Sequence, residues 1–259
     1  MSIDVPALAA RLRHFESVIL MTSASSTNGI GRRVLLECLD NELALPRAII
    51  VAREQTAGRG RGARTWHSPA GRGIWATAML TRPLKALPLF PLEAAIAVAG
   101  FLQNEHGLEA RIKWPNDIYA GSHKIAGILT EARGREGEAF LIVGFGINVL
   151  PLGADSPPEA TSIAQQSDRI LDLDQVTEAW IEHIDRELFR EDSAQEIVER
   201  WRQLTLHREG DHVRFALGDQ QISGSWRGID AMGRALIETA EGVRPFAAGE
   251  MIAIDEPSS

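Results

Sequence analysis

One stretch of the chain, AFLIVGFGINV at residues 139–149, is almost continuously apolar and yet contains two glycines. An apolar run without polar alternation is typical of a strand that is covered on both faces at the centre of a sheet. Gly144 and Gly146 indicate that another group approaches the backbone of this strand closely, or that the strand carries a bulge. Asn148, near its end, needs a hydrogen-bonding partner. The chain is therefore expected to fold around a central sheet.

Helical and β-type patterns alternate through most of the chain. Apolar residues at helical spacing follow Asn28, and the hydroxyl of Ser26 or Thr27 could cap that helix by accepting a hydrogen bond from a free backbone N–H. Helical spacing also marks residues 91–106 and, twice, residues 173–206. The β-type runs are AIIVA at 48–52, GIWATAML at 73–80, ARIKW at 110–114 and KIAGILTEA at 124–132. Together they predict a mixed α+β domain.

The character of the sequence changes after Gly210. Four short β-type runs follow, separated by turn residues: HVRFAL, QISGSWRGID, ALIET and MIAI. Short strands at this spacing are typical of a small all-β barrel. We therefore predict two domains, residues 1–208 and residues 209–259.

Composition excludes several classes of protein. The chain has 259 residues and a formal net charge of −8, which argues against a general nucleic-acid-binding protein. Its one cysteine, Cys38, cannot form an internal disulfide and is compatible with a reducing compartment. The N-terminal residues lack the pattern of a signal peptide, and the longest apolar stretches fall short of a membrane span. A cytoplasmic protein is expected.

A basic, glycine-rich segment interrupts this acidic chain at residues 55–68, QTAGRGRGARTWHS. We call it the arginine loop. Guanidinium groups match the geometry of phosphate, so Arg59 and Arg61 could hold phosphate oxygens. Gly58 and Gly60 would let the backbone approach the same ligand. A solvated surface loop is the competing interpretation, since the segment has the order of neither a P-loop nor a dinucleotide-binding fingerprint.

Two further motifs carry polar groups that suit an anionic ligand. In KWPND, Lys113 offers a charge for phosphate, Asn116 an amide, and Asp117 a carboxylate that could hold Mg²⁺. A turn at the end of a strand is the competing interpretation, since Pro115, Asn116 and Asp117 are good turn formers. Lys124 opens the next β-type run, and at a strand end it could stabilise negative charge that develops on a phosphate. An ordinary lysine at a strand edge is the alternative.

Five motifs in this order resemble those of the biotin protein ligases. They are STN at 26–28, QTAGRGR at 55–61 with Trp66 and the following Ser-Pro, KWPND at 113–117, KIAGIL at 124–129 and GFGIN at 144–148. The resemblance runs from about residue 20 to the end and includes WRGID at 226–230 in the tail. It implies the biotin–lipoyl ligase fold, related to class II synthetases: an α+β domain with a mixed, largely antiparallel sheet flanked by helices, and a small C-terminal SH3-like β-barrel.

The resemblance also implies an activity. Enzymes of this family join biotin to ATP, with Mg²⁺, to give biotinyl-5′-adenylate and pyrophosphate. They then transfer biotin to one lysine of an acceptor, the biotin carboxyl carrier protein. A homodimer is possible, because members of the family pair through sheet edges. Only about 20 residues precede the motifs, so no DNA-binding domain and no repressor role are expected.

Roles for individual residues follow from matching positions. Lys124 would bridge the biotin carboxylate and the α-phosphate, and Arg59 and Arg61 would close over the adenylate as the other catalytic cations. The residues implied for biotin are Ser26, Thr27, Asn28, Gln55, Gly58, Arg59, Arg61, Lys124, Gly127 and Gly144. Those implied for ATP and the adenylate are Arg59, Arg61, Arg64, Trp66, Lys113, Asn116, Lys124 and Asn148, with Asp117 for Mg²⁺.

The arginine loop departs from the family pattern at one point. The family often reads GRGRRGR, whereas this chain reads GRGRGAR, so that Gly62 and Ala63 replace an arginine and a glycine. The loop loses one cation and gains flexibility. We therefore predict weaker retention of the adenylate.

Three other functions remain as alternatives. A lipoate or octanoate ligase would share the catalytic fold, but the paired arginines and KWPND favour biotin. A non-catalytic biotin-binding protein would be expected to lack Lys124 or the arginines. A nucleic-acid-binding regulator is disfavoured by the net charge and by the missing DNA-binding domain.

Overall fold

The structure is a computed structural model that describes residues 3–62, 64–217 and 220–253. Its larger part contains seven strands and six helices among the described residues, in this order: α1 Val5–Ala9, β1 Ser17–Met21, α2 Thr27–Asp40, β2 Ala48–Ala52, β3 Gly73–Pro83, α3 Phe90–His106, β4 Ala110–Lys113, β5 Asp117–Ala120, β6 His123–Arg135, β7 Glu138–Asn148, α4 Ile163–Ser167, α5 Leu173–Glu187 and α6 Ala194–Leu204. The predicted helices and strands are confirmed. β1, β5, α1 and α4 were not predicted.

One seven-stranded sheet organises this part, in the order β1-β2-β3-β7-β6-β5-β4. Only β1 and β2 run parallel among these described strands, and every other neighbouring pair is antiparallel. The apolar run at 139–149 forms β7, which is paired along both edges, as predicted for a central strand. The predicted mixed, largely antiparallel sheet is therefore confirmed.

Helices cover both faces of the sheet, which explains why β7 lacks polar alternation. Leu141, Val143 and Ile147 face the large core formed with α3, α5 and α6. Phe140 and Ile142 face the smaller core beneath α2. Two-sided burial removes more apolar area from water than a half-exposed strand could, so this strand anchors both layers.

Helix α2 begins where the sequence predicts. The hydroxyl of Ser26 accepts a hydrogen bond of 3.3 Å from Gly29 N, so Ser26 is the N-cap. Leu35 and Cys38 are buried against the sheet, in agreement with the predicted apolar face. Gly31 lies so close to β3 and β7 that an added Cβ would be 3.1 Å from Ile142 and 3.2 Å from Thr77. The helix therefore sits directly on the sheet.

The C-terminal part, which we call the β-domain, is a five-stranded antiparallel sheet in the order β11-β10-β9-β8-β12. Its strands are β8 His212–Leu217, β9 Gln220–Ile229, β10 Ala235–Thr239, β11 Gly242–Phe246 and β12 Glu250–Ala253. The predicted small all-β unit is confirmed, with β11 as an additional strand. The predicted domain boundary between residues 208 and 209 falls between the end of α6 and the start of β8.

The β-domain packs on the larger part through the tryptophan of KWPND. The indole Nε1 of Trp114 donates a hydrogen bond of 3.1 Å to the carbonyl of Gly233. Its ring lies 5.7 Å from that of Phe215, which belongs to the β-domain core. Trp114 is 2% exposed, so this contact is fully buried. The KWPND turn is therefore held between the sheet and the β-domain.

Across the residues that the structure describes, no helix has the length and apolarity that crossing a membrane requires.

Candidate active site

A cavity opens on the α2 side of the sheet, beyond the N-terminus of that helix. It is bounded by the start of α2, the arginine loop, the KWPND turn, strands β6 and β7, and residues 150–162, which we call the covering segment. These segments are far apart in the sequence. The fold therefore assembles one cavity from the motifs that the sequence singles out.

Where they occur, glycines in β6 and β7 leave the face of the sheet beneath this cavity without side chains. Gly127 of β6 and Gly146 of β7 lie opposite each other in the sheet. An added Cβ would lie 2.9 Å from the Trp66 ring at Gly127 and 2.3 Å from its Nε1 at Gly146. The indole thus rests directly on the backbone of two strands. Gly144 is equally restricted, since its Cβ would lie 2.2 Å from Oδ1 of Asn28. The close approach predicted for the glycines of β7 is confirmed.

Hydrogen bonds fix the polar side chains on the α2 side. Gln55 Oε1 accepts from Thr27 N at 2.9 Å and from Thr27 Oγ1 at 3.1 Å. Asn28 Nδ2 donates to Leu129 O at 3.2 Å, and its Oδ1 accepts from the buried hydroxyl of Thr77 at 2.6 Å. Because these groups are buried or, for Gln55, partly buried and are mutually bonded, they form a wall with fixed donors and acceptors. Thr77 was not predicted as part of it.

The described part of the arginine loop folds back on itself as a hairpin, in which several residues, Arg59 and Arg64 among them, are exposed. Arg59 and Thr65 form an antiparallel bridge, and Gly60 N donates to Arg64 O at 2.8 Å. At Gly58 an added Cβ would lie 2.4 Å from Trp66 O. Gly58 therefore permits contact within the loop itself. It does not line the cavity, in contrast to the predicted role in the biotin slot.

The cations of the cavity are each held by a polar partner. Lys124 Nζ lies 2.7 Å from Asp117 Oδ2 and 5.2 Å from the centre of the Trp66 ring. Arg59 Nη1 lies 3.4 Å from Glu131 Oε1 on β6. Each pair is partly exposed, so each contributes little to stability by itself. Their effect is to place positive charge around one space.

Arg61 links the arginine loop to two other segments. Its Nη1 donates to Asn116 Oδ1 at 3.2 Å and to the carbonyl of Gly249 at 2.9 Å. Asn116 is itself fixed, because its Nδ2 donates to Ile128 O at 2.6 Å. The guanidinium therefore joins the loop, the KWPND turn and the β-domain. Sequence reasoning did not identify the contribution of the β-domain.

The covering segment forms the wall that sequence reasoning missed. Lys124 N donates to Glu159 O at 2.7 Å, and Thr161 N donates to Lys124 O at 2.9 Å. Asn148 Nδ2 donates to Thr161 O at 2.8 Å. The sequence of this segment indicates only a Pro- and Ser-rich break. Its position directly after GFGIN was the available signal, since loops that follow strands often carry function.

Two buried polar atoms in the cavity have no hydrogen-bonding partner among the described residues: Trp66 Nε1 and Asn148 Oδ1. Buried polar groups are normally bonded, so an unsatisfied pair in a cavity indicates a place for ligand or water. Both side chains line the cavity.

The cavity brings together most of the predicted site residues. Those that line it are Ser26, Thr27, Asn28, Gln55, Arg59, Arg61, Arg64, Trp66, Asn116, Asp117, Lys124, Gly127, Gly144 and Asn148. Lys113 does not line the cavity. Its ammonium lies 5.5 Å from the centre of the Tyr119 ring, one strand further out than Asp117. Of the five cations that the resemblance implies for ATP, Arg59, Arg61, Arg64 and Lys124 therefore line one cavity, and Lys113 does not.

The described residues contain no group of three or more His, Cys, Asp or Glu side chains arranged to hold a metal ion. Two carboxylates line the cavity, Asp117 beside Asn116 and Glu159 in the covering segment. Mg²⁺ is commonly held by one or two carboxylates together with substrate phosphates, and this donor set fits that arrangement.

Comparison with known proteins agrees with this geometry. The model of the Biotin/lipoate A/B protein ligase family matches residues 22–148, and that of the Biotin protein ligase C terminal domain matches residues 210–252. The bifunctional ligase/repressor BirA of Bacillus spizizenii is 35% identical over 215 residues, which cover 80% of this chain and 66% of the relative. The biotin–[acetyl-CoA-carboxylase] ligase of Mycobacterium tuberculosis is 28% identical and is covered over 78% of its length.

Solved structures give the same result. The biotin protein ligase from Aquifex aeolicus in complex with biotin and ATP superposes with a TM-score of 0.72 at 29% identity, over 92% of this chain and 98% of that one. The chain belongs to the biotin protein ligase family. It spans about two thirds of the length of the bifunctional relatives, 66% for that of Bacillus spizizenii.

Proposed function

We propose that this protein is an ATP-dependent biotin protein ligase. The observation that carries the proposal is that Arg59, Arg61 and Lys124 line one cavity. Glycines of the sheet form the base of this cavity. A carboxylate and a triphosphate repel each other, so a site that joins them needs concentrated positive charge. The ligands named for the Aquifex aeolicus relative, biotin and ATP, are an acid pair of this kind.

In the first reaction, a carboxylate oxygen of biotin attacks the α-phosphorus of ATP. The bond from that phosphorus to the oxygen bridging to the β-phosphate breaks, and pyrophosphate leaves. Lys124, positioned by Asp117, stabilises the negative charge on the carboxylate and the α-phosphate. Arg59 and Arg61 neutralise phosphate oxygens from the arginine loop. Gln55, Thr27 and the other fixed polar groups orient the biotin ring system, so that the reacting atoms meet in one geometry.

The second reaction moves the biotinyl group to an acceptor. The neutral amine of a lysine attacks the acyl carbon, the bond from that carbon to the phosphate oxygen breaks, and AMP leaves as the amine loses a proton. The adenylate is a mixed anhydride that water would hydrolyse. The arginine loop and the covering segment exclude water from it. We propose a biotin carboxyl carrier protein as the acceptor, as the name of the Mycobacterium tuberculosis relative suggests.

Asp117 and Asn116 would hold Mg²⁺ together with phosphate oxygens. The ion would supply charge neutralisation at the leaving pyrophosphate. A reaction that consumes ATP also fits the cytoplasmic location predicted from the sequence.

We also propose that the chain forms a homodimer through an edge of β6. Strand β5 pairs with β6 only as far as Gly127. In the described part of the chain, no strand covers the outer edge of β6 from Leu129 to Arg135. Exposed edges of this kind template pairing with another chain. Sedimentation velocity with and without biotin and ATP would test this, and a monomer at all concentrations would exclude it.

The test of the enzymatic proposal is the exchange of labelled pyrophosphate into ATP, with biotin and Mg²⁺, followed by transfer of biotin to a carrier domain. The matched variants are Lys124→Ala and Lys85→Ala, since Lys85 is exposed and remote from the cavity. We expect exchange in the wild type and Lys85→Ala, and its loss in Lys124→Ala. Unchanged exchange in Lys124→Ala would contradict the role of Lys124.

A lipoate ligase remains the second candidate, because the family model that matches residues 22–148 covers both activities. The match of residues 210–252 to a biotin-specific C-terminal domain favours biotin. Replacing biotin by lipoate in the same exchange assay distinguishes the two.

A further inference from the structure

Glu131 contacts Arg59, which lines the cavity, and Arg32 of α2, but does not itself line the cavity. It lies on the cavity face of β6, two residues beyond Leu129, which does line the cavity. Its Oε1 lies 3.4 Å from Arg59 Nη1 and its Oε2 lies 4.0 Å from Arg32 Nη1. One carboxylate therefore connects the arginine loop, the sheet and the first turns of α2.

The contact with Arg59 restrains more than one side chain. Arg59 is paired with Thr65 across the base of the loop hairpin, and Gly60 N is bonded to Arg64 O. A restraint at Arg59 therefore limits the movement of the whole hairpin relative to β6. Arg61, in the same loop, donates hydrogen bonds to Asn116 Oδ1 and to the carbonyl of Gly249.

Glu131 can restrain Arg59 without contacting the reacting groups, because it does not line the cavity. Arg59 lines the cavity whereas the carboxylate that it contacts does not, so the negative charge of Glu131 lies outside the cavity, away from substrates that are themselves anionic. Its side chain is 23% exposed, against 39% for Arg59 and 47% for Arg32. The carboxylate is thus the least exposed member of the three.

We propose that Glu131 is a positioning residue that holds Arg59, and with it the arginine loop, across the mouth of the cavity and so slows the escape of the adenylate. The inference rests on the proposed function. Glu131 touches neither substrate. It acts through Arg59, and its effect on the retention of the intermediate should exceed its effect on formation.

The size and salt dependence of the effect follow from the exposure of the pair. Partly exposed ion pairs change an equilibrium by a factor of about two to five. Removal of the Glu131 charge should therefore raise the rate of adenylate release by that factor. The effect should shrink at about 1 M salt, where charges are screened within about 3 Å.

The experiment compares Glu131→Gln with Glu138→Gln. Gln keeps the size of the side chain and removes the charge. Glu138 is an exposed residue at the start of β7, the strand that pairs with β6. Its variant therefore removes an equal charge away from the cavity. The adenylate is formed in each protein from labelled biotin, ATP and Mg²⁺. Its formation is followed by pyrophosphate release, and its escape by dilution into unlabelled biotin.

We expect wild-type pyrophosphate release and wild-type escape in Glu138→Gln. In Glu131→Gln we expect pyrophosphate release at most about twofold slower and escape about two- to fivefold faster than in the wild type. High salt should bring the wild type toward Glu131→Gln. Tryptic cleavage of the loop without ligand should also be faster in Glu131→Gln. Equal or slower escape in Glu131→Gln would overturn the proposal, as would a loss of pyrophosphate release with unchanged escape. Absence of the adenylate in the wild type would instead refute the proposed function.

Discussion

The carbonyl oxygen of Gly249 accepts a hydrogen bond of 2.9 Å from the guanidinium of Arg61, so the β-domain contributes directly to the candidate active site. The position of that carbonyl is set by the β-domain core. Gly249 has a φ of 142°, and an added Cβ would lie 2.1 Å from the Phe215 ring. Phe215 in turn contacts Trp114 of the KWPND turn.

The first prediction concerns this glycine. Gly249→Ala should lower the free energy of unfolding and the rate of adenylate formation, because the new methyl group displaces either the Phe215 ring or the carbonyl that holds Arg61. Gly242→Ala is the control, since Gly242 also has a positive φ, 107°, but nothing lies within 4 Å of its Cβ. Gly249→Ala should be less stable than this control by about 1–3 kcal/mol in urea titrations. Equal stability and activity would contradict the coupling.

The second prediction concerns biotin binding. Gly144→Ala places a methyl group 2.2 Å from Asn28 Oδ1, which Thr77 holds by a hydrogen bond. We expect the KM for biotin to rise by about tenfold or more, because a displacement of the polar wall misplaces the ligand. Gly29→Ala is the control, since its Cβ would be 3.4 Å from Ser26 Cβ, an ordinary contact in a helix. Steady-state kinetics with varied biotin measure this KM. A wild-type KM in Gly144→Ala would exclude Gly144 from the biotin site.

The third prediction separates Lys113 from Lys124. The ammonium of Lys113 lies over Tyr119 and outside the cavity. Lys113→Ala should therefore change the KM for ATP by less than about threefold, as expected for a screened surface charge. A tenfold rise in the KM for ATP would contradict this prediction and support the nucleotide-binding role that the resemblance implies for Lys113.

The fourth prediction tests the departure in the arginine loop. We expect the wild type to release the adenylate faster than Gly62→Arg, which restores a cation. Gly62 has a φ of +66° and open space around its Cβ, so any side chain there fits but costs about 1–2 kcal/mol of backbone strain. Gly62→Ala carries the same strain without the charge and is the control. Equal release from Gly62→Arg and Gly62→Ala would show that the lost cation is irrelevant. Ala63 lies outside the described residues.

The fifth prediction concerns acid stability. His207, 8% exposed, lies in the linker to the β-domain, 5.1 Å from the Trp226 ring. Burial lowers its pKa to about 4, aided by the charge of Lys113 and opposed by Asp211. Between the unfolded pKa of about 6.5 and this value, the unfolded state binds the extra proton, so stability falls as pH falls through that window.

His207→Phe removes this proton uptake. The free energy of unfolding should then fall less steeply between pH 6.5 and pH 4, by up to about 1.4 kcal/mol per pH unit. The pKa values of His106 and His183 are also lowered by burial, and their contribution of the same sign should persist in the variant. Urea titrations at three pH values measure the slope. An unchanged slope would contradict the burial of a neutral imidazole at this position.

Long, strongly patterned elements could be predicted from the sequence, whereas short ones could not. β7 was predicted because two-sided burial leaves an apolar run. β5 was missed because four residues that follow Pro-Asn resemble a continued turn. β11 contains Pro245, which argues against a strand, and the structure places it at the edge of its sheet, where proline is tolerated.

The candidate site shows the same division. Cations and glycines in unusual local settings identified most of its lining residues. Lys113 was misplaced because sequence pattern gives the face of a strand but not its position in the sheet, and neighbouring strands lie about 5 Å apart. The roles of Glu131, Thr77 and Gly249 depend on contacts between distant segments, which no local pattern encodes.

The bond between Arg61 and Gly249 also bears on the biosynthesis of the protein. During translation, the ribosome releases the arginine loop long before the strand pair that presents Gly249 has been synthesised. Until then the guanidinium lacks this carbonyl partner. The arginine loop therefore gains this contact only once the β-domain has been made and has folded.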